Sequence, residues 1–378
     1  MQTDSGKIPS NQGIFPFRIK FEERISDVPK WYTFAISFGA VVFALLIGAI
    51  ILWLAGGNPW ATYAHIGRSS FGSIGVFSDT LVKATPLILV GLACSVAFRM
   101  KLWNIGAEGQ FFIGAFAASA VILIPILPET APSWLFIVVT AAAGLIGGGL
   151  YGLIPGLLKA RFNVNEVIST LMLNYIAIAW NNYFIFAVWT EAGFQMSKVF
   201  PQNSWLPRLT DLGSKIPAFR GLTTHFGLVL AIIAAVIVWL ILYRSRWGYE
   251  IRLIGDNPKA ATYAGIPIKK HIVWVMVLSG ALAGLAGMSE ITGVVHRFQG
   301  AISPGYGFTG IIVAWLAKLN PFAVIFVSIL FGALILAGRE IQPSGVPKMI
   351  QGVILVSLIA SDFLVRYKVS ISRQRAEA

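Results

Sequence analysis

Apolar residues gather into ten runs separated by short polar segments: 33–54, 81–98, 111–127, 134–158, 167–189, 226–243, 271–288, 308–318, 321–338 and 349–365. About 20 residues are needed to cross a hydrocarbon core. The pattern therefore predicts an all-α, polytopic membrane bundle of about ten transmembrane helices. Run 308–318 is too short to cross alone and leads into Asn320-Pro321, as a half-helix or re-entrant piece would. No small-residue cleavage site follows 33–54, which reads as an anchor. The expected organisation is an N-terminal tail (1–30), a transmembrane domain (31–366) with a polar segment at 244–270, and a C-terminal tail (367–378). Ten crossings put both termini on one side. Two halves of five admit an inverted repeat, although no convincing sequence match joins the halves.

Composition supports lipid as the solvent, with 56% hydrophobic and only 12% charged residues. The net charge of +13 does not point to nucleic acid, because the basic residues lie between spans and not in an aromatic-interleaved patch. With the N-terminus inside, 20 of the 29 Lys and Arg fall on inner segments and eight on outer ones, with Lys83 inside a span. The positive-inside rule then places both termini in the cytoplasm. Cys94 is the single cysteine, and His65, His225, His271 and His296 lack ligand spacing, so neither a disulfide nor a metal or other cofactor is expected.

Gly144, Gly148, Gly152 and Gly156 recur every fourth residue, and Gly280 and Gly284 repeat the spacing. Such stripes let helix backbones approach closely. Pro155 in the same run could kink it.

Catalytic motifs are missing. There is no phosphate-cradling G-x-x-x-x-G-K-[ST] loop and no nucleophile elbow or zinc helix, so the chain is not expected to hydrolyse ATP or act as an enzyme. Three polar features remain. Residues 99–114 carry Asn104, Glu108 and Gln110, which fit either a broken helix lining a cavity or a cytoplasmic loop in which Asn104 caps the next helix. Asn165 and Glu166 lead into a run in which Asn174 and Asn181 share a face, suited to a hydrogen-bonding solute or to bonding between helices. On the outer side, Arg208 and Arg220 of the long 190–225 loop join Arg68, Arg297 and Arg339 in a basic rim that could receive an acidic external partner or simply be solvated.

Three stretches carry a resemblance: KLWNIGAEGQFFIGA (101–115), NEVISTLMLNYIA (165–177), and IGDNPKAATYAGI (254–266) followed by SGALAGLAG (279–287). The chain resembles the permease subunits of ABC importers for sugars, nucleosides and branched-chain amino acids, and looks closest to the nucleoside-type branch. The resemblance implies a multi-pass protein of the bacterial cytoplasmic (inner) membrane. Its implied partners are a cytosolic ABC ATPase, a second permease subunit of different sequence, an extracytoplasmic solute-binding lipoprotein or periplasmic protein, and membrane lipid. It also implies that Gly255, Asn257, Pro258, Ala261, Ala264 and Gly265 form the contact with the ATPase. By the same carry-over, Asn104, Glu108, Gln110, Asn165, Glu166, Asn174 and Asn181 would lie near the solute path. An ion-coupled secondary transporter is the alternative from another class.

Overall fold

The computed structural model describes residues 17–23, 29–128, 130–338 and 345–373. Thirteen α-helices are found among them: α1 (Lys30–Leu54), α2 (Pro59–Phe71), α3 (Ile74–Arg99), α4 (Ala107–Leu123), α5 (Ser133–Phe162), α6 (Glu166–Tyr183), α7 (Gly227–Trp239), α8 (Arg246–Asp256), α9 (Pro258–Tyr263), α10 (Ile268–Glu290), α11 (Tyr306–Leu316), α12 (Pro321–Ala337) and α13 (Val346–Arg366). Helices α6, α7 and α10 each continue into a five-residue π turn. Contacts divide the chain into two units. One comprises residues 1–47 and 352–378, and within it the strands β1 (Phe17–Glu23) and β2 (Tyr367–Arg373) pair antiparallel, Phe17 opposite Arg373. The other, residues 48–351, holds every site described below.

The fold is an all-α, polytopic membrane bundle. Helices α3, α5, α6, α7 and α10, with their π turns, are each long and apolar enough to cross a membrane, and α1 with α2 forms a bent sixth candidate. Three further apolar helices are shorter. Helices α4 and α12 have 17 residues, and α11 has 11. At 1.5 Å per residue α11 is roughly 16 Å long, about half a hydrocarbon core. The expected short eighth run is thus a half-length helix.

Helices α3 and α10 form the centre. They pack on each other, α10 also packs on α4 and α5, and α3 packs on α11 and α12. Each central helix thus packs mainly on helices from the other half of the chain. Helix α3 is almost wholly enclosed by protein, whereas α5 and α6 leave broad apolar faces uncovered.

Glycine sets the closest of these contacts. The stripe Gly144, Gly148, Gly152 on α5 lies directly against Gly280 and Gly284 on α10. A Cβ at Gly148 would collide with the Gly280 carbonyl, and one at Gly284 with the Gly144 carbonyl. Lipid offers no hydrophobic drive for helix pairing, so van der Waals contact between bare backbones supplies the attraction. Helix α5 runs on through Pro155 without interruption.

Gly148→Val is expected to destabilise the bundle by about 3 kcal/mol through overpacking. Gly149→Ala, whose new methyl would stop 3.4 Å from the nearest atom, should be nearly neutral. The thermal midpoints of the two detergent-solubilised variants, read by size exclusion after heating, check this.

Candidate functional site

Three polar regions are stacked along α3 and α10. One, at the end of the bundle where α3 finishes, is the segment between α7 and α10. Ser245 caps α8, accepting from the Gly248 N–H at 3.0 Å. Asn257 caps α9, accepting from the Ala260 N–H at 3.0 Å, with Pro258 in the first turn. Gly265 ends the segment at φ +73°, a left-handed conformation that glycine adopts without penalty. Helix α8 is tied to α10 by the Glu250 carboxylate, 2.8 Å from His271 Nε2 and 3.2 Å from Arg246 Nε. Gly255 presses so closely on the Arg99 carbonyl that a side chain there would overlap it. Gly255 and Ala261 therefore face the protein, while Asn257, Pro258, Ala264 and Gly265 are exposed and Tyr263 is 92% exposed. The six residues read from sequence as one contact surface divide into an inward pair and an outward four.

The second region lies at mid-bundle. After α3 the chain leaves the helix, and Asn104 takes up the freed groups. Its amide nitrogen donates to Gln110 Oε1 and to Ser279 Oγ, both at 2.9 Å, and its oxygen accepts from the Gly106 N–H at 3.0 Å. Ser279 in turn donates to the Ala93 carbonyl at 2.7 Å. Asn174 does the same work from α6, accepting from the Gly109 N–H at 2.8 Å and donating to the Ile105 carbonyl at 2.9 Å. Every one of these side chains is buried. Asn104 serves both the start of α4, through the Gly106 N–H, and the middle of α10, through Ser279. Irregular backbone at membrane depth survives only when its polar groups are paired.

Helix α11 begins at the same depth. Ser303 caps its start, accepting from the Gly305 and Tyr306 N–H groups at 3.0 and 2.9 Å. The Gly307 N–H donates to Glu108 Oε2 at 2.5 Å. Glu108 is in the first turn of α4, so one carboxylate sits at the positive ends of two helices, α4 and α11. Asn181 is buried too and donates to the Gln299 carbonyl at 3.4 Å. The remaining two path candidates lie elsewhere, at the start of α6: Asn165 is its exposed cap, and Glu166 pairs with Lys159 at 3.0 Å.

Sequence reading missed a third feature. Lys83 of α3 and Glu290 of α10 form a buried ion pair at 3.1 Å, and the Tyr306 hydroxyl donates to the same Glu290 oxygen at 3.4 Å. A lysine inside an apolar run was the available signal, since an intramembrane charge calls for a partner.

At the opposite end of the bundle the 190–225 loop folds over the end of α10. Its Ser197, Phe200 and Leu206 N–H groups donate to the carbonyls of Phe298, His296 and Thr292 at 2.8–3.0 Å. Arg208 donates to the Gly293 carbonyl at 2.9 Å and lies 2.6 Å from His296 Nε2, while Trp205 stacks on the His296 ring at 3.8 Å. Burial, then the charge of Arg208, holds the His296 pKa down at about 4. Burial lowers that of His225 to about 3, with Arg208, His296 and Lys83 adding to the effect. Among the five rim arginines, Arg208 is engaged as described, Arg220 donates to the Gly213 carbonyl and Arg297 lies against Met196, whereas Arg68 is exposed and Arg339 lies outside the described residues.

Residues 76–360 match the family model described as branched-chain amino acid transport system / permease component. The chain belongs to this permease family. It is 36% identical over 347 residues to the guanosine ABC transporter permease NupP of Bacillus subtilis, covering 87% of this chain and 93% of that protein. It is 32% identical to the glucose ABC transporter permease TsgB13 of Haloferax volcanii (92% and 93% covered) and 33% identical to the nucleoside ABC transporter permease NupB of Lactococcus lactis (85% and 88% covered). No solved structure matches. The permease is thus a multi-pass cell-membrane subunit of an ABC transporter. ATP hydrolysis belongs to a separate ATPase subunit, and a substrate-binding protein is the further partner.

Removing the Glu108 acceptor should cost the permease about 1–3 kcal/mol, the range for leaving a buried N–H unpaired. The thermal midpoint of Glu108→Ala should fall clearly below that of Glu108→Gln, which keeps an acceptor. The two histidines give a pH prediction. Folding lowers both pKa values below the usual 6.5, so the neutral rings contribute full stability above pH 6.5 and progressively less as pH falls toward 4 and 3. The wild-type midpoint should therefore drop between neutral pH and about pH 5, and a His225→Gln/His296→Gln variant should lose less over that interval.

Proposed function

We propose that this chain is the permease of a nucleoside importer and that α9 is where the ATPase drives it. The observation that carries the coupling reading is a capped, rigid helix whose Ala264 and Tyr263 face away from the protein, in a segment carrying six basic residues between Arg244 and Lys270. Basic residues of this kind hold a segment at an anionic cytoplasmic leaflet. The pairing of β1 with β2 brings both ends of the chain together, which agrees with an even number of crossings and with both termini in the cytoplasm.

The nucleoside reading is supported by two relatives that cover most of this chain, one named for guanosine and one for nucleosides. The uncovered face of α6, with Ile168, Met172, Tyr175 and Ile176 exposed, is the wall that this chain contributes to the solute path. A second, different permease subunit closes that path. Asn104, Glu108, Gln110, Asn174 and Asn181 hold the wall in place from behind. A glucose-type relative of similar identity favours simple sugars as the second reading.

Ala264→Arg should abolish uptake by removing the ATPase from the purified complex while the permease stays in the membrane. Normal uptake and normal ATPase recovery would remove the coupling role. Direct uptake of labelled guanosine, uridine and glucose separates the substrates. The nucleosides should be taken up and glucose should not, and the reverse pattern would assign the sugar.

A further inference from the structure

One short stretch recurs in the two halves. Residues 58–64 read Asn-Pro-Trp-Ala-Thr-Tyr-Ala, and residues 257–264 read Asn-Pro-Lys-Ala-Ala-Thr-Tyr-Ala. They differ by one inserted residue and one substitution. Asn-Pro alone is a common helix start and recurs at 320–321, but the Ala-Thr-Tyr-Ala that follows does not recur there. The local geometry is shared as well. Asn58 caps α2, accepting from the Trp60 and Ala61 N–H groups at 3.0 and 3.2 Å, as Asn257 caps α9. Thr62 donates back to the Asn58 carbonyl at 2.9 Å, and Thr262 to the Pro258 carbonyl at 3.0 Å.

The two helices hold matching places in the bundle. Helix α2 lies between the first long helix and α3 in one half, and α9 lies between α7 and α10 in the other. They meet α3 at opposite ends. Ser70 of α2 accepts on its carbonyl from the Thr80 hydroxyl at 2.8 Å, and its own hydroxyl donates to Ala333 at the end of α12 at 3.0 Å. The segment carrying α9 presses Gly255 on Arg99, the last residue of α3. What α9 is to the inner face, α2 is to the outer one.

One face of it is exposed in the same manner. Trp60 is 82% exposed and Phe71 47%. Between them on one helical face stand Ala64 and Gly67, with Arg68 alongside, all exposed. An aromatic at each end of a small-residue trough, roughly 16 Å long by helix geometry, suits a protein surface. A helix that merely floats in the interface needs a wide apolar face, and here glycine, alanine and arginine interrupt it.

We infer that α2 is an outer counterpart of the coupling helix. The extracytoplasmic substrate-binding protein docks on its Trp60–Ala64–Gly67–Phe71 face, with an acidic patch meeting Arg68, and through Ser70 it pushes on the outer ends of α3 and α12. This rests on reading α9 as the inner coupling helix. Both signals then converge on α3, one at each end.

The test uses the full complex, with both permeases and the ATPase in lipid nanodiscs, and the purified substrate-binding protein. Trp60→Ala and Ala64→Arg should each lower ATP hydrolysis stimulated by that protein by about tenfold, the scale of a lost interface anchor, and weaken its binding. Basal hydrolysis and ATPase recovery should be unchanged, and Ala64→Ser should behave as wild type. Wild-type stimulation in both variants would overturn the inference. So would stimulation that is lost only because the second permease dissociates or the permease no longer stays in the membrane, for α2 would then be an anchor. Failure of the α9 reading registers separately, as normal ATPase recovery with Ala264→Arg.

Discussion

The hydrogen bond from Gly307 to Glu108 joins two helices that both begin inside the bundle, and the rest of the architecture depends on such pairings. A chain that leaves the helical conformation at membrane depth releases N–H and C=O groups that lipid cannot satisfy. Here Asn104, Asn174 and Ser303 take up those groups, and Gln110 and Ser279 hold the Asn104 amide in place. This allows α4 and α11 to be shorter than full spans and allows their positive ends to converge on one carboxylate. Because each pairing reaches to a different helix, the broken region is also what holds α3, α6, α10 and α11 in register.

Around that centre the contacts are of two kinds. The α5–α10 face is bare backbone against bare backbone, a contact that resists sliding because any displacement drives carbonyls into Cα atoms. The α3–α10 face carries the Lys83–Glu290 pair, whose separation would leave charges unpaired in an apolar surrounding. Helices α3, α5 and α10 should therefore move together. A push received at α8 and α9, through Gly255 on Arg99 or through Glu250 on His271, is carried into that block as a whole.

Much of this was legible from hydropathy and glycine spacing. The helical bundle, the half-length 308–318 segment and the polar break near 99–114 follow from where apolar residues stop. Partnership was not legible. The stripes at 144–156 and 280–284 announce close packing, yet nothing in their spacing says that they meet each other. Asn174 and Asn181 offered equal chemistry to a solute and to a neighbouring helix, and no spacing in the sequence says that Gly109, Ile105 and Gln299 lie beside them. Ala261 and Ala264 are three residues apart in a short helix, and which of them faces out depends on the tilt of α9 against the bundle. The α2 repeat was hidden by its brevity, and it gained meaning only when α2 and α9 were found at opposite ends of α3.

The account turns on α9 being the surface that the ATPase grips. Thiol cross-linking measures this directly, because the lone native cysteine, Cys94, is buried and its thiol is already hard to reach. In a Cys94→Ala background, Tyr263→Cys should form a cross-linked adduct with the ATPase subunit, with a yield that changes on ATP addition. Ala261→Cys, facing inward, should form little. An absent adduct at 263, together with efficient cross-linking from another inner position such as Phe162→Cys, would contradict the account.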